Sequence, residues 1–306
     1  MTGGAGFIGA NLCRALVATR GIDQVVAVDD LSTGRRSNLD GVDGADLVEG
    51  SILDADLLDE VVPGARAIVH LAARPSVPRS LLDPVATHQD NATGTLMVLE
   101  AARRHGGPHV VVASSSSVYG ANPILPKRED MATMPVSPYA VSKLATESYA
   151  IAYGHSFGLP TLAFRFFNVF GPLQAADHDY AAVVPAFVAA ALRKDPLTVH
   201  GDGEQTRDFT YVGSVCSVLA DAVLRSVTDP RPVNLAFGTR VSLLTLIAHL
   251  EELLGRPLDR VHTSPRAGDV RDSQADQESL RRLFPNVEPV PLDDGLRATI
   301  RWFEEA

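Results

Sequence analysis

Apolar residues fall in two rhythms along this chain. Short continuous runs at 25–28, 67–71, 110–113 and 161–166 are bounded by polar or turn-forming residues, which predicts buried strands. Between them, 10–20, 84–104 and 138–157 carry apolar positions at helical spacing and predict helices. That alternation predicts an α/β fold, a doubly wound parallel sheet. After Phe170 the pattern loosens, with helical stretches near 181–192, 214–227 and 243–254 between loops rich in Gly, Pro and Asp. An amphipathic stretch at 292–305 predicts a closing helix. Residues 1–170 are expected to form a Rossmann-type domain, with segments near 207–240 returning to it. Residues 171–306 then form most of a smaller C-terminal α/β lobe. No repeat and no low-complexity linker separates them.

Gly4, Gly6 and Gly9 match the dinucleotide fingerprint Gly-x-Gly-x-x-Gly, and Gly3 adds the wider form of the motif. Such glycines let the backbone approach a pyrophosphate at a helix N-terminus. Asp29 ends the next predicted strand, twenty residues after Gly9, where a carboxylate can hold the adenosine ribose hydroxyls. It would repel a 2′-phosphate, which favours NAD over NADP, although Arg35 and Arg36 follow closely. The Gly-rich turn should follow a strand, yet only Met1 and Thr2 precede it. The first strand, normally central in such a sheet, is expected to be missing or truncated, leaving unpaired backbone groups on both neighbours.

Composition narrows the partners. A net charge of -10 argues against nucleic acid or an anionic membrane as the main partner. Cys13 and Cys216 are too few for a disulfide framework and suit a reducing, cytoplasmic setting. No apolar run is long enough for a membrane span, and no signal-peptide pattern is present. The histidines show no metal-ligand grouping, so no metal is expected.

Tyr139-Ala-Val-Ser-Lys143 lies downstream of a serine run, Ser114 to Ser117. One helical turn puts Lys143 beside Tyr139, where a cation would favour the phenolate. A hydroxyl from the serine run could share or relay the proton. This constellation suits removal or return of a proton on a substrate alcohol, coupled to hydride transfer.

Thr2-Gly3-Gly4-Ala5-Gly6-Phe7-Ile8-Gly9, Asp29-Asp30-Leu31-Ser32-Thr33-Gly34, His70-Leu71-Ala72-Ala73 and the segment 114–120 resemble the extended short-chain dehydrogenase/reductases. So do Arg165-Phe166-Phe167-Asn168-Val169-Phe170-Gly171-Pro172 and the segment 201–209. Together these motifs resemble the NAD-dependent nucleotide-sugar epimerases and dehydratases over essentially the whole chain. The resemblance implies a catalytic Ser115, four residues before Tyr119, an acid/base Tyr139 and a Lys143 on the nicotinamide ribose. It places Gly3, Gly6, Phe7, Ile8, Gly9, Asp29, Ile52, Leu71, Ala72 and Ala73 about the cofactor. Ser76, Ser116, Asn168, Arg207, Arg266, Asp269 and Ser273 would meet the nucleotide sugar. Arg207 and Arg266 would clamp diphosphate and ribose, since Arg forks suit phosphate oxygens. The family often forms homodimers through the helices following Pro84 and Pro138.

Within that family, dehydratases carry Asp-Glu after the catalytic hydroxyl, where this chain has Ser116 and Ser117. That disfavours 4,6-dehydration. The usual decarboxylase sequence is also absent there, while glucuronate 4-epimerases remain possible. The favoured reading is NAD-dependent 4-epimerisation of a UDP-hexose through a transient 4-keto sugar. Galactose-type epimerases can carry a bulky Tyr where this chain has Ser273, so an N-acetyl group is expected to fit. UDP-GlcNAc/UDP-GalNAc and UDP-Glc/UDP-Gal are the expected pairs. Pro75 and Ser51 depart from the pattern near the sugar and the adenine, respectively. A non-catalytic NAD-binding regulator on the same fold is a distant alternative, since fold does not fix function.

Overall fold

The computed structural model describes residues 1–176, 181–264 and 271–305. In chain order, α1 (Phe7–Val17), β1 (Val25–Asp29), β2 (Ala45–Glu49), α2 (Ala55–Val61) and β3 (Ala67–His70) open the fold. Next come α3 (Val77–Leu82), α4 (Pro84–His88), a π turn (Gln89–Thr93), α5 (Gly94–Arg104), β4 (His109–Ser115), α6 (Pro138–Phe157) and β5 (Thr161–Phe166). Then follow β6 (Val169–Phe170), α7 (Val183–Arg193), β7 (Leu197–His200), β8 (Thr206–Arg207), β9 (Thr210–Tyr211), α8 (Val212–Arg225) and β10 (Val233–Leu235). The remainder comprises β11 (Val241–Ser242), α9 (Leu243–Leu254), β12 (Arg260–Thr263), α10 (Glu278–Leu283) and α11 (Leu292–Glu305).

The principal sheet is parallel throughout. Its strands run β10-β5-β4-β3, and β1-β2 continues it across Thr2, which bridges Val28 and His70. Strand alternation sorts the apolar run of β4 between two cores. Val111 joins Leu162, Phe164, Leu12 and Leu219 on the face covered by α1 and α8. Val110 and Val112 join Ala163, Leu99 and Ala150 on the face covered by α5 and α6. This two-sided burial explains why the strand reads as continuous Val-Val-Val rather than as an alternating pattern. A third core joins α7, α9, α11 and β7 through Phe187, Val199, Leu246, Ile247 and Leu296.

At the sheet centre, where the first strand was expected to be missing or truncated, Met1 and Thr2 bond to both neighbouring strands. The Thr2 N–H donates to Val69 O at 3.0 Å and Leu71 N–H donates to Thr2 O at 3.1 Å. On the other side, Val28 N–H donates to Met1 O at 2.7 Å and Gly3 N–H to Val28 O at 2.8 Å. These bonds pair the C-terminal ends of β1 and β3, where the Gly-rich turn begins.

Two helix expectations need correction. The first helix spans Phe7–Val17 rather than 10–20, because Gly6 is its extended N-cap and Thr19–Gly21 turns the chain. The stretch 84–104 is not one regular helix. Asp83 caps α4 by accepting from Ala86 N–H at 3.0 Å, and the π turn separates α4 from α5. The turn orients Asn91, whose amide accepts from Arg74 N–H at 2.7 Å and donates to Ser142 on α6 at 2.9 Å. A π insertion in a helix commonly marks a functional site.

Candidate active site

A cavity of about 620 Å³ opens along the C-terminal ends of β1, β3, β4 and β5. This is where an open α/β sheet binds ligands. Its floor is the Gly-rich turn, and its shape depends on missing side chains. Gly3 has φ +70, and a methyl there would meet Ala72 N at 2.6 Å. A methyl on Gly9 would lie 2.0 Å from Gly3 O, so only glycine lets the turn close onto α1. Gly3, Gly6, Phe7, Ile8, Gly9, Asp29, Ile52, Leu71, Ala72 and Ala73 all line this cavity. The Asp29 carboxylate accepts from Ala5 N–H and Leu31 N–H, both at 2.9 Å, which aims it across the turn. Burial raises its pKa while those backbone bonds oppose the rise. A backbone cradle beside an oriented carboxylate fits a dinucleotide pyrophosphate and ribose.

The acid/base group lies deeper. Lys143 is buried, and its Nζ donates to the Ala113 carbonyl at 2.8 Å. Burial lowers its pKa to about 8. Burial raises the Tyr139 phenol above its ordinary value, and the neighbouring Ser115 hydroxyl opposes that rise. The expectation of a Tyr139 phenol lowered by Lys143 is therefore corrected: desolvation outweighs other influences on this hydroxyl. Ser115 Oγ also accepts from Ser117 N–H at 3.2 Å. The serine run divides its work, since Ser114 Oγ points into the helix side and donates to Glu147 Oε2 at 2.7 Å. Buried His70 bridges the Thr2 and Thr95 hydroxyls at 2.7 and 3.0 Å, and burial lowers its pKa to about 3. It is a neutral structural link, not a base.

Ser116, Asn168, Arg207 and Ser273 line the same cavity. Arg207 and Asn168 also line a second cavity of about 530 Å³, between α7, β7 and the start of α9. Arg207 Nη1 donates to Thr206 O at 2.9 Å and Arg271 O at 3.0 Å, which holds its guanidinium where the cavities adjoin. Ser273 is fixed by its N–H to Thr206 O at 3.1 Å. Ser76 lines neither of these two cavities; its hydroxyl caps α3 by accepting from Arg79 N–H at 3.4 Å. Arg266 and Asp269 lie outside the described residues. Sequence reasoning missed Arg74, Arg79, Asp90, Lys127, Gln174 and Asp272, which also line the cleft. Arg74 pairs with Asp90 at 2.7 Å across 16 residues, a contact that the π turn makes and sequence spacing hides. The side-chain amide oxygens of Gln174 and Gln205 are buried with no hydrogen-bond partner, and each residue lines one of the two cavities.

Residues 1–236 match the model of the NAD dependent epimerase/dehydratase family. The chain belongs to that family. NAD is its cofactor, and the glycine cradle and Asp29 fit NAD on their own geometry. The chain is 37% identical to a UDP-glucose 4-epimerase of Mycolicibacterium smegmatis, covering 99% of this chain and 97% of the relative. Among solved structures, it resembles a UDP-N-acetylglucosamine 4-epimerase from Methanobrevibacter ruminantium M1 in complex with UDP-N-acetylmuramic acid. That match has a TM-score of 0.93 and 33% identity, covering 99% of this chain and 97% of the other. It also resembles a Thermus thermophilus UDP-glucose 4-epimerase in complex with NAD, with a TM-score of 0.90 and 32% identity over 100% and 98% of the chains. Among the described residues, no helix is long and apolar enough to cross a membrane.

Proposed function

We propose that this protein catalyses the NAD-dependent 4-epimerisation of a UDP-hexose, accepting UDP-GlcNAc/UDP-GalNAc and UDP-Glc/UDP-Gal. The observation that carries the reading is the convergence of Ser115, Tyr139 and Lys143 on a cavity whose other end is the glycine cradle. Bound NAD supplies reversible hydride acceptance at the sugar's C4. Gly3, Gly6, Phe7, Ile8 and Gly9 seat its pyrophosphate, and Asp29 takes the adenosine ribose hydroxyls. Tyr139 removes the O4 proton and returns it, with the Ser115 hydroxyl sharing it between them. Lys143 holds the nicotinamide ribose and supplies positive charge behind the phenol.

The second cavity takes the nucleotide. Asn168 and Arg207 stand at the junction where a diphosphate would lie, leaving the hexose free to turn beside Tyr139. Ser116 and Ser273 contact the sugar, and Ser76 shapes the loop behind it as the cap of α3. Ser116 and Ser117 stand where a dehydratase needs acidic groups, so the 4-keto sugar keeps its C6 hydroxyl.

The protein is further proposed to act as a cytoplasmic homodimer. Leu82, Val85, Val141 and Phe157, on α4, α6 and the preceding α3, are large, apolar and 52–74% exposed. Burying such side chains against a second copy would remove them from water.

Replacing Tyr139 with Phe tests the reading. A Tyr139→Phe variant should retain bound NAD and UDP-sugar affinity while kcat falls about 10²–10⁴-fold, the usual contribution of a positioned acid/base. Undiminished turnover would overturn the assignment.

A further inference from the structure

Tyr139, Lys143 and Glu147 recur at four-residue intervals on α6, so they lie along one side of the helix. Each meets the end of β4. Tyr139 and Ser115 line one cavity, and the Lys143 amine donates to the Ala113 carbonyl. Glu147 Oε2 receives the Ser114 hydroxyl at 2.7 Å, and the same Ser114 oxygen stands 3.1 Å from the Lys143 carbonyl. The first two rungs contain the proposed chemistry.

That third rung is a buried ion pair. Arg165 on β5 presents two N–H groups to Glu147, Nε to Oε2 at 3.0 Å and Nη2 to Oε1 at 2.7 Å. The two side chains are 4% and 3% exposed. The guanidinium also lies over the Tyr119 ring, 4.7 Å from its centroid. The Tyr119 hydroxyl donates to Asn234 Oδ1 on β10 at 2.6 Å. One connected network thus ties α6 to β4, β5 and β10.

Such a pair is a poor way to gain stability. Taking two charges out of water costs several kcal/mol per ion, and apolar replacements of similar volume are often as stable. A bidentate fork does fix direction, because both N–H vectors must meet both oxygens. Here the fixed direction is the rotation and height of α6 against β4. A small slip would separate Tyr139 from Ser115 and Lys143 from the strand end.

We propose that Glu147, Arg165 and Ser114 are positioning residues that set α6 against β4 and so hold the acid/base group in register. The proposed chemistry gives none of the three a contact with the reacting atoms: Ser114 lines the cavity, but its hydroxyl is turned to Glu147. The proposal rests on the acid/base reading of Tyr139, and the experiment separates the two.

Three proteins are compared with wild type: Ser114→Ala, the double variant Glu147→Leu/Arg165→Met, and Tyr139→Phe. Each is measured for kcat, KM, bound NAD and thermal unfolding, with the UDP-sugar that the wild type turns over. Positioning predicts that the double variant unfolds near the wild-type temperature, keeps NAD and holds KM within about threefold. Its kcat should fall about ten- to a hundredfold, as expected when a reacting group is misplaced by less than an ångström. Ser114→Ala keeps the ion pair and should show the same split, with a smaller loss of about three- to tenfold in kcat. If the double variant does not fold, Ser114→Ala alone decides. Wild-type kcat in a folded double variant, or in Ser114→Ala, overturns the proposal when Tyr139→Phe is inactive. An active Tyr139→Phe instead overturns the acid/base reading, and the positioning role with it.

Discussion

The Lys143 ammonium donates to the Ala113 carbonyl across 2.8 Å, joining the helix that carries Tyr139 to the strand that carries Ser115. This contact has a titration consequence. Burial lowers the Lys143 pKa from 10.5 to about 8, so its charge is present below that value and lost above it. An interaction that needs the cation alone, its hold on the nicotinamide ribose, should therefore weaken as pH rises through about 8. The Kd of NAD for the wild type should rise there. A Kd that stays level up to the ordinary lysine value of 10.5 would contradict this role.

Ser273 lines the cleft and is held at its backbone by Thr206. A Tyr side chain would fill space that the small hydroxymethyl group leaves. Ser273→Tyr should abolish turnover of UDP-GlcNAc and UDP-GalNAc while sparing UDP-Glc and UDP-Gal. Separate kcat/KM values for the four sugars measure this directly. Equal loss on both pairs would remove Ser273 as the gatekeeper.

Asp208 lies between Arg207 and the Ser273 segment and is fully buried. Its carboxylate accepts from Ala275 N–H at 2.9 Å and from the Thr239 hydroxyl at 3.1 Å. Burial raises its pKa from 3.8 to about 6, against those hydrogen bonds. The native state therefore favours the protonated acid more than the unfolded chain does. That contribution to stability is fully present below 3.8 and is lost as pH rises through about 6. Its size is on the order of 3 kcal/mol. Urea unfolding of wild type and Asp208→Asn should show the wild type losing ground between 3.8 and about 6, then a constant difference. A difference that stays constant or grows in favour of wild type across that window would contradict the assignment.

Much of this architecture is legible in the sequence, for identifiable reasons. The Val110–Val111–Val112 run reads as a buried strand because its residues supply cores on both faces. The glycine fingerprint is readable because a methyl at Gly9 would strike Gly3 O. Strand β2, Ala-Asp-Leu-Val-Glu, escapes notice because it is partly exposed and carries charge within a short run. The Arg74–Asp90 pair and the Asn91 contacts depend on a π turn that helical periodicity does not reveal. The cap that the Ser76 hydroxyl forms on α3 is likewise not read from its segment. The buried Glu147–Arg165 pair joins residues 18 positions apart, and neither residue looks unusual in its own segment.

The most direct test is to incubate the purified protein with UDP-GlcNAc, without added cofactor, and follow the sugars by proton NMR. UDP-GalNAc should appear and approach a constant ratio, which requires 4-epimerisation, retained NAD and room for the acetamido group together. No UDP-GalNAc, and no interconversion of UDP-Glc and UDP-Gal when NAD is supplied, would contradict 4-epimerisation by this protein.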